Sequence, residues 1–267
     1  MLSELAWNLK QIIYPDRSKC CFCNKFLKLY ENIFCNKCLY GIIPQNSNYN
    51  ICEICGKFIK DQTICAACRK SKPSFMLARA VGVYEGLIKE ALQKFKYQGI
   101  RSLAEPMGRL MALEALKHKE FIECSLITYV PLSFGRLKER RYNQSQLLAH
   151  ELSKYLRIPV REVLEKIIDT EPMAKLTKEE RLKNLVHAFR IKEQVNFQKV
   201  IIVDDVYTTG TTVSLCCSEL LKGGVNEVYV LTFATGCNIS NRDKPVAGTE
   251  SVEDSSDDMT HASISGD

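Results

Sequence analysis

The run Val200-Ile201-Ile202-Val203-Asp204-Asp205-Val206-Tyr207-Thr208-Thr209-Gly210-Thr211-Thr212 limits what this chain can fold into more than any other stretch. Its four β-branched apolar residues read as a short strand buried on both faces, the kind found in parallel sheets. Two adjacent carboxylates close the strand, and hydroxyl residues surround one glycine. Val213 to Leu221 then carries the apolar period of a helix stopped by Gly223-Gly224. The turn offers backbone N–H groups and hydroxyls, and the helix start adds partial positive charge. The segment therefore suits a phosphate with a sugar beside it. Asp204 and Asp205 would repel that phosphate if aimed at it; they are better suited to a ribose diol or a divalent cation. No lysine lies in the turn, which excludes a P-loop, and one glycine is too few for a dinucleotide fingerprint. The plainer alternative is a strand–turn–helix whose Asp and Thr residues only cap the helix.

Cysteine is the second constraint. Of the 13 cysteines, those between Cys20 and Cys68 include four Cys-x2-Cys pairs: Cys20/Cys23, Cys35/Cys38, Cys52/Cys55 and Cys65/Cys68. Successive couples at these intervals suit zinc ribbons, in which two knuckles bring four thiolates around one ion. Gly56 after Cys55 fits the tight turn of a knuckle. A segment of about 50 residues has too little apolar material to fold by burial alone, so metal binding supplies its folding free energy. Cys21 is left over. A redox role would need only one pair, and an iron–sulfur cluster uses the same ligands. Which couples share an ion is left open by spacing. Lys25, Lys28, Lys37, Lys57, Lys60, Arg69 and Lys70, against Glu31, Glu53 and Asp61, lie among Phe22, Phe26, Phe34 and Phe58. Single-strand nucleic-acid binders use that mixture, although the aromatics serve equally as a small core.

The rest of the chain alternates strands and helices. Residues 1–18 read as a short amphipathic helix ended near Pro15, and Ser71-Lys72-Pro73-Ser74 as a linker. Met76 to Tyr84 reads as a strand, Leu87 to Phe95 and Leu103 to His118 as helices, and Ser125 to Val130 as a buried strand. Gly135 to Gln144, with Arg136, Lys138, Arg140 and Arg141 against Glu139, reads as an anion-binding loop followed by a helix to Leu156. A solvated charge run is its plainer alternative. Val163 to Ile168 reads as a strand, Asp169 to Leu176 as a polar loop, Thr177 onward as a helix, and Glu227 to Ala234 as a last strand. This order argues for an α/β, doubly wound parallel sheet with ligands at the carboxyl ends of its strands. The expected domains are a helix over 1–18, a cysteine module over 19–70, the α/β domain over 75–237 and an acidic tail over 238–267.

Net charge is +6 overall. The tail holds Arg242 and Lys244 against Asp243, Glu250, Glu253, Asp254, Asp257, Asp258 and Asp267, so the body is more basic than the total suggests. Basic bodies suit phosphate-bearing ligands or nucleic acid. Few apolar residues and many Ser, Asp and Gly give the tail a disorder signature. No stretch is long and apolar enough for a membrane helix, and the N-terminus lacks a secretory signal. A cytoplasmic protein without membrane insertion is expected.

Four features together make residues 18–237 similar to the ComF family of competence proteins (ComFC-like). They are the Cys-x2-Cys pairs, the Leu92-to-Gly99 segment, the basic stretch ending Tyr142-Asn143-Gln144, and the Asp-Asp-Val-x-Thr-Thr-Gly-x-Thr turn. The resemblance implies an N-terminal zinc module joined to a type I phosphoribosyltransferase domain that binds phosphoribosyl pyrophosphate (PRPP) or a related ribose phosphate with Mg²⁺. It also implies a role in DNA uptake during natural transformation, on single-stranded DNA and with a helicase-like competence protein. Asp204 and Asp205 match the ribose-binding acids at the reacting centre, and Thr208, Thr209, Gly210, Thr211 and Thr212 match the 5′-phosphate loop. Leu132 to Arg136 falls where the family binds pyrophosphate, with Arg136 and Arg140 as candidate PRPP contacts. The chain departs from the family in having Arg141-Tyr142 for Gly-Phe, and in lacking the Arg and Gln of the mobile loop at Ile168 to Met173. The implied activity is phosphoribosyl transfer. The rivals are a non-catalytic single-stranded nucleic-acid adaptor and a phosphoribosyltransferase of nucleotide salvage.

Overall fold

A computed structural model describes residues 19–27, 34–42, 50–60, 62–167, 188–194 and 196–237. The expected helix over 1–18, the loop from Asp169 to Leu176, the helix from Thr177 and the tail over 238–267 lie outside these residues. The cysteine-rich part contains α1 (Asn36–Ile42), β1 (Asn50–Ile51), β2 (Phe58–Ile59) and α2 (Ala66–Lys70). Next come β3 (Leu77–Val83), α3 (Gly86–Tyr97), a 3-10 turn (Arg101–Leu103), α4 (Ala104–Ala115) and α5 (Lys119–Ile122). They are followed by β4 (Leu126–Tyr129), α6 (Phe134–Arg140), α7 (Gln144–Leu156), β5 (Leu164–Lys166) and β6 (Phe189–Ile191). Last are β7 (Lys199–Tyr207), α8 (Thr211–Lys222) and β8 (Glu227–Thr235).

Four strands form a parallel sheet in the order β3-β8-β7-β4, in register Ile202↔Val230 and Thr128↔Ile202. Central β7 has partners on both sides, and Val200 to Val203 are fully buried. At about 1.5–3 kcal/mol for each side chain of this size, the apolar run anchors the fold. Successive strand residues point to opposite faces, so β7 and β8 divide their side chains between two cores. Ile201, Val203, Leu231 and Phe233 join the helices α3, α4 and α7 on one face. Val200, Ile202, Val228 and Val230 join α8 and the β5–β6 pair on the other. The sheet is doubly wound, as the alternation of strands and helices implied.

Two expectations change in detail. The basic stretch from Gly135 is not a loop: Phe134–Arg140 is a helix, α6, and the chain turns only at Arg141. Arg, Leu, Lys and Glu are all good helix formers. Because α6 buries no residue, it shows no apolar stripe by which to recognise it. The strand expected near Val163 pairs antiparallel with β6, in register Glu165↔Arg190, and stays out of the parallel sheet.

The two cysteine groups do not sit side by side. Cys20, Phe22, Cys35, Cys38 and Ile42 pack into the core that holds α3, and Lys94 donates to the Phe22 carbonyl at 3.1 Å. Cys52, Cys55, Cys65 and Cys68 pack into the opposite core with α8. Their segment is tied to β3 by the Ala78 amide donating to Ile54 at 2.7 Å and by Arg79 donating to Glu53 at 3.2 Å. Gly56, at φ 68°, lies so close to the Ala78 carbonyl that a Cβ would come within 2.6 Å of its oxygen.

Candidate functional site

The site is built at the carboxyl end of β7, where the two acids part. Asp205 accepts from Lys96 of α3 at 2.8 Å, with side chains only 14% and 12% exposed for the lysine and the aspartate. Half-buried Asp204 accepts from the Ser145 hydroxyl at 2.9 Å and from the Asp205 amide at 2.9 Å. Ser145 is placed by the start of α7, where Asn143 caps the Ser145 and Gln146 amides and donates to the Val130 carbonyl at 3.0 Å. Asp204, Val206 and the whole segment from Tyr207 to Val213 line one cleft. Asp205 stands behind it, held by Lys96.

Burial and the adjacent Asp205 charge push the Asp204 carboxyl up to about 7, against the Asp205 amide, the Ser145 hydroxyl and Lys96, which favour its charged form. A carboxyl whose folded pKa exceeds its unfolded one holds its proton more tightly when folded. Its contribution to stability is complete below the ordinary value of 3.8 and is lost as pH rises through about 7. The unfolding temperature of the ligand-free, metal-loaded protein should therefore fall between about pH 5 and about pH 8. Asp204→Asn should flatten that slope. An unchanged slope in the variant would show that the carboxyl ionises freely.

Beyond the acids, Gly210 is the N-cap of α8 at φ 81°, and Thr209 Oγ1 lies 3.0 Å from Thr211 Oγ1. Thr208, Thr209, Thr211 and Thr212 are exposed around it, and the first amides of a helix have no partner within the helix. These are the donors a phosphate needs. Buried Tyr207 supports the turn from below. Its ring meets Phe75 edge-on at 6.1 Å and Lys57 Nζ at 5.4 Å, and its carbonyl accepts from the Gly236 amide at 2.9 Å. Lys57 follows the Cys52–Cys55 knuckle, so the second cysteine group reaches the floor of the cleft.

Arg136 and Arg140 are not among the residues that line the cleft. Arg136 is exposed on α6. Arg140 lies with its guanidinium 5.3 Å from the Tyr97 ring centre and donates to Gln144 at 3.3 Å. Among the described residues, Arg140 Nε and Gln144 Nε2 are buried without a partner. Arg141 takes the left-handed C-cap of α6 at φ 64°, a conformation that favours the glycine seen in the resembling family. Tyr142 donates its hydroxyl to the Phe95 carbonyl, a bond no phenylalanine makes.

Cys20, Cys23, Cys35 and Cys38 form one tetrad and Cys52, Cys55, Cys65 and Cys68 a second, the sulfurs of each within 4.8 Å of one another. Cys23 and Cys35 sulfurs are 3.6 Å apart, and those of Cys55 and Cys65 are 3.7 Å apart. Tetrahedral zinc at about 2.3 Å from each sulfur needs about 3.8 Å between sulfurs, so the geometry fits. The two knuckles repeat one backbone pattern. Cys20 donates to Lys25 and Asn24 to Cys20, as Cys52 donates to Lys57 and Gly56 to Cys52. Burial raises the Cys20 and Cys52 thiols, yet hydrogen bonds from neighbouring backbone amides outweigh it and bring both down to about 7. Cys21 lies outside the tetrad, and burial pushes its thiol up to about 12.

Sequence reasoning had not singled out Lys96, Ser145 or the Tyr207–Lys57 contact. Lys96 lies in the Leu92-to-Gly99 segment, so a signal was present. No pattern marked Ser145.

An acidic pair ending a central parallel strand, then a Thr/Gly turn at a helix start, defines a phosphoribosyltransferase domain of type I. Residues 129–262 match the family described as phosphoribosyl transferase domain. Competence protein F of Haemophilus influenzae is 30% identical over 224 residues, covering 81% of this chain and 96% of that protein. DNA utilization protein YhgH of Escherichia coli is 28% identical over 202 residues, covering 68% and 89%. Competence protein ComFC of Bacillus subtilis is 25% identical over 230 residues, covering 83% and 85%. The chain belongs to the ComF family of competence proteins, with a phosphoribosyltransferase domain. Among the described residues no helix is long and apolar enough to cross a membrane.

Proposed function

We propose that the chain binds PRPP, or a related ribose 5-phosphate, with Mg²⁺, and acts in DNA uptake on single-stranded DNA in the cytoplasm beside a helicase-like competence protein. The observation that carries the binding reading is the cleft of Asp204 and Thr208 to Thr212 at the start of α8. The 5′-phosphate takes the helix-start amides and threonine hydroxyls, and Asp204 takes the ribose diol or the cation. Mg²⁺, when bound, neutralises pyrophosphate charge and the carboxylate that Asp205 already burdens. Asp205 acts from behind, its charge offset by Lys96. Arg140, whose buried Nε has no partner among the described residues, is the candidate cation for a pyrophosphate oxygen. Zinc at the two tetrads fixes the segments that pack beside the α/β core.

Calorimetric titration with PRPP and Mg²⁺ tests the reading. Asp204→Asn keeps the shape and the Ser145 contact but removes the charge. Affinity should fall at least about tenfold, or about 1.4 kcal/mol, with zinc content unchanged. Adding Asp205→Asn leaves Lys96 buried without its partner, so that double variant should lose stability as well. If Asp204→Asn binds PRPP as tightly as the parent, the Asp204 carboxylate holds neither the ribose nor the cation and this reading of the cleft falls. A pyrophosphate-release assay with the same proteins then separates binding from turnover.

A further inference from the structure

We propose that the end of α3 and the outer surface of α6 form a docking surface for single-stranded nucleic acid, with Tyr97 and Phe134 as stacking platforms and Arg101, Lys138 and Arg141 at the phosphates. The proposal rests on the DNA-handling reading above and gives it a place.

Near the first tetrad one ring, Phe26, is 75% exposed with Lys19 Nζ 5.1 Å from its centre, while its aromatic neighbours are engaged. Phe22 is buried, and its ring stacks on Phe34 at 5.2 Å and 13°, so these two form a small core with no free face. On α3 and α6 two large rings face solvent on neighbouring elements. Tyr97 is 68% exposed and Phe134 76% exposed, while Leu137 and Ile100 also face solvent. A single exposed phenylalanine needs no explanation. Here, however, α6 buries none of its residues, so packing does not explain the apolar side chains it carries.

Cations without a carboxylate partner add positive charge to this surface. Lys117, Lys154, Arg161, Arg190, Lys199 and Lys222 each hold a carboxylate. Among the described residues no ion pair involves Arg101, Arg136, Lys138, Arg140 or Arg141. Two of these cations also position the rings. Arg140 covers one face of Tyr97, and Arg101 stacks on Tyr142 at 4.8 Å while holding the Arg141 carbonyl at 3.1 Å. Unneutralised arginines interleaved with exposed aromatic faces are what a flexible phosphate chain with unpaired bases recognises. A double helix would hide the base faces that Tyr97 and Phe134 require. Phe134 lies six residues before Arg140 on α6, which is about 9 Å along the axis, room for two or three bases stacked about 3.4 Å apart.

The test is fluorescence anisotropy of a labelled oligothymidylate about 20 nucleotides long on the zinc-loaded full chain, long enough to exceed single-fold site sizes. PRPP titration and thermal unfolding are run in parallel. Both ring positions are exposed, so Tyr97→Ala with Phe134→Ala should leave thermal unfolding and zinc content as they are. Oligonucleotide affinity should fall at least about tenfold. Tyr97→Trp with Phe134→Trp should restore it. Lys138→Gln should reduce the slope of log affinity against log salt by about one. If the parent binds and the alanine pair stays within about twofold of it, this surface is not the site, while DNA handling stands. If the parent binds PRPP but no oligonucleotide at low salt, both the surface and the DNA-handling reading fall.

Discussion

Replacing Cys52 and Cys55 together with serine is expected to unfold more than the segment that carries them. Structural zinc supplies about 10–16 kcal/mol of apparent binding free energy in small cysteine modules, and two hydroxyls do not replace two thiolates in the tetrad. Were the segment a free appendage, the loss would stop there. The second tetrad is part of the core that holds α8, Val200 and Ile202. Its segment is bonded to β3 through Ala78 and Arg79, and Phe58 forms a parallel bridge with Cys237 past the end of β8. Lys57 sits over Tyr207, beneath the phosphate turn. The serine pair should therefore lower the zinc content by about half, reduce the unfolding temperature of the α/β core and weaken PRPP binding together. Cys35→Ser with Cys38→Ser should remove the other half of the zinc. That pair disturbs the core around α3, through Phe22 and Lys94, on the face away from Tyr207 and α8. Metal analysis, calorimetry and PRPP titration of the two variants decide the matter. If PRPP affinity is equal in both, contact between the second tetrad and the cleft has no energetic consequence.

The parts of this architecture that were legible in the sequence share one property: their signal is local. The Val200-to-Val203 run has no polar residue to offer water, so it declares a buried strand. The spacing of α8 and its Gly223-Gly224 stop declare a helix, and four cysteine pairs declare two tetrads. What was not legible depends on distant residues or on missing contrast. Lys96 and Asp205 are separated by 109 positions, and no pattern in either neighbourhood says that they meet. The placement of two consecutive cysteine groups on opposite faces of one sheet is likewise a tertiary fact. Each group reads alike alone, and the two knuckles repeat the same hydrogen bonds. Helix α6 failed for a different reason. A helix that touches solvent on every side has no apolar period, so its charges read as a loop. The β5–β6 pairing could not be foreseen because its partner strand, Phe189–Ile191, is three residues long and carries little pattern of its own.

Gly210→Ala should damage ligand binding more than any single change of charge in the cleft, although it removes no functional group. Gly210 is held at φ 81° as the N-cap of α8, and that left-handed conformation costs an alanine about 1–2 kcal/mol. The added methyl group would also overlap the Tyr207 hydroxyl and ring. The ring is not free to withdraw: it is buried, with Phe75 edge-on and Lys57 above it. The turn must yield instead, and its amides and Thr209, Thr211 and Thr212 move off the phosphate position. Losing one charge-assisted hydrogen bond costs about 1.5–3 kcal/mol, so with backbone strain the loss approaches about 3 kcal/mol. PRPP affinity should fall about a hundredfold. Gly210→Ala combined with Tyr207→Leu removes the overlap but keeps the strained φ, so it should recover part of the affinity, no more than about tenfold. Full recovery would show that the overlap alone matters. No loss in the single variant would mean that the turn at the start of α8 does not hold the phosphate.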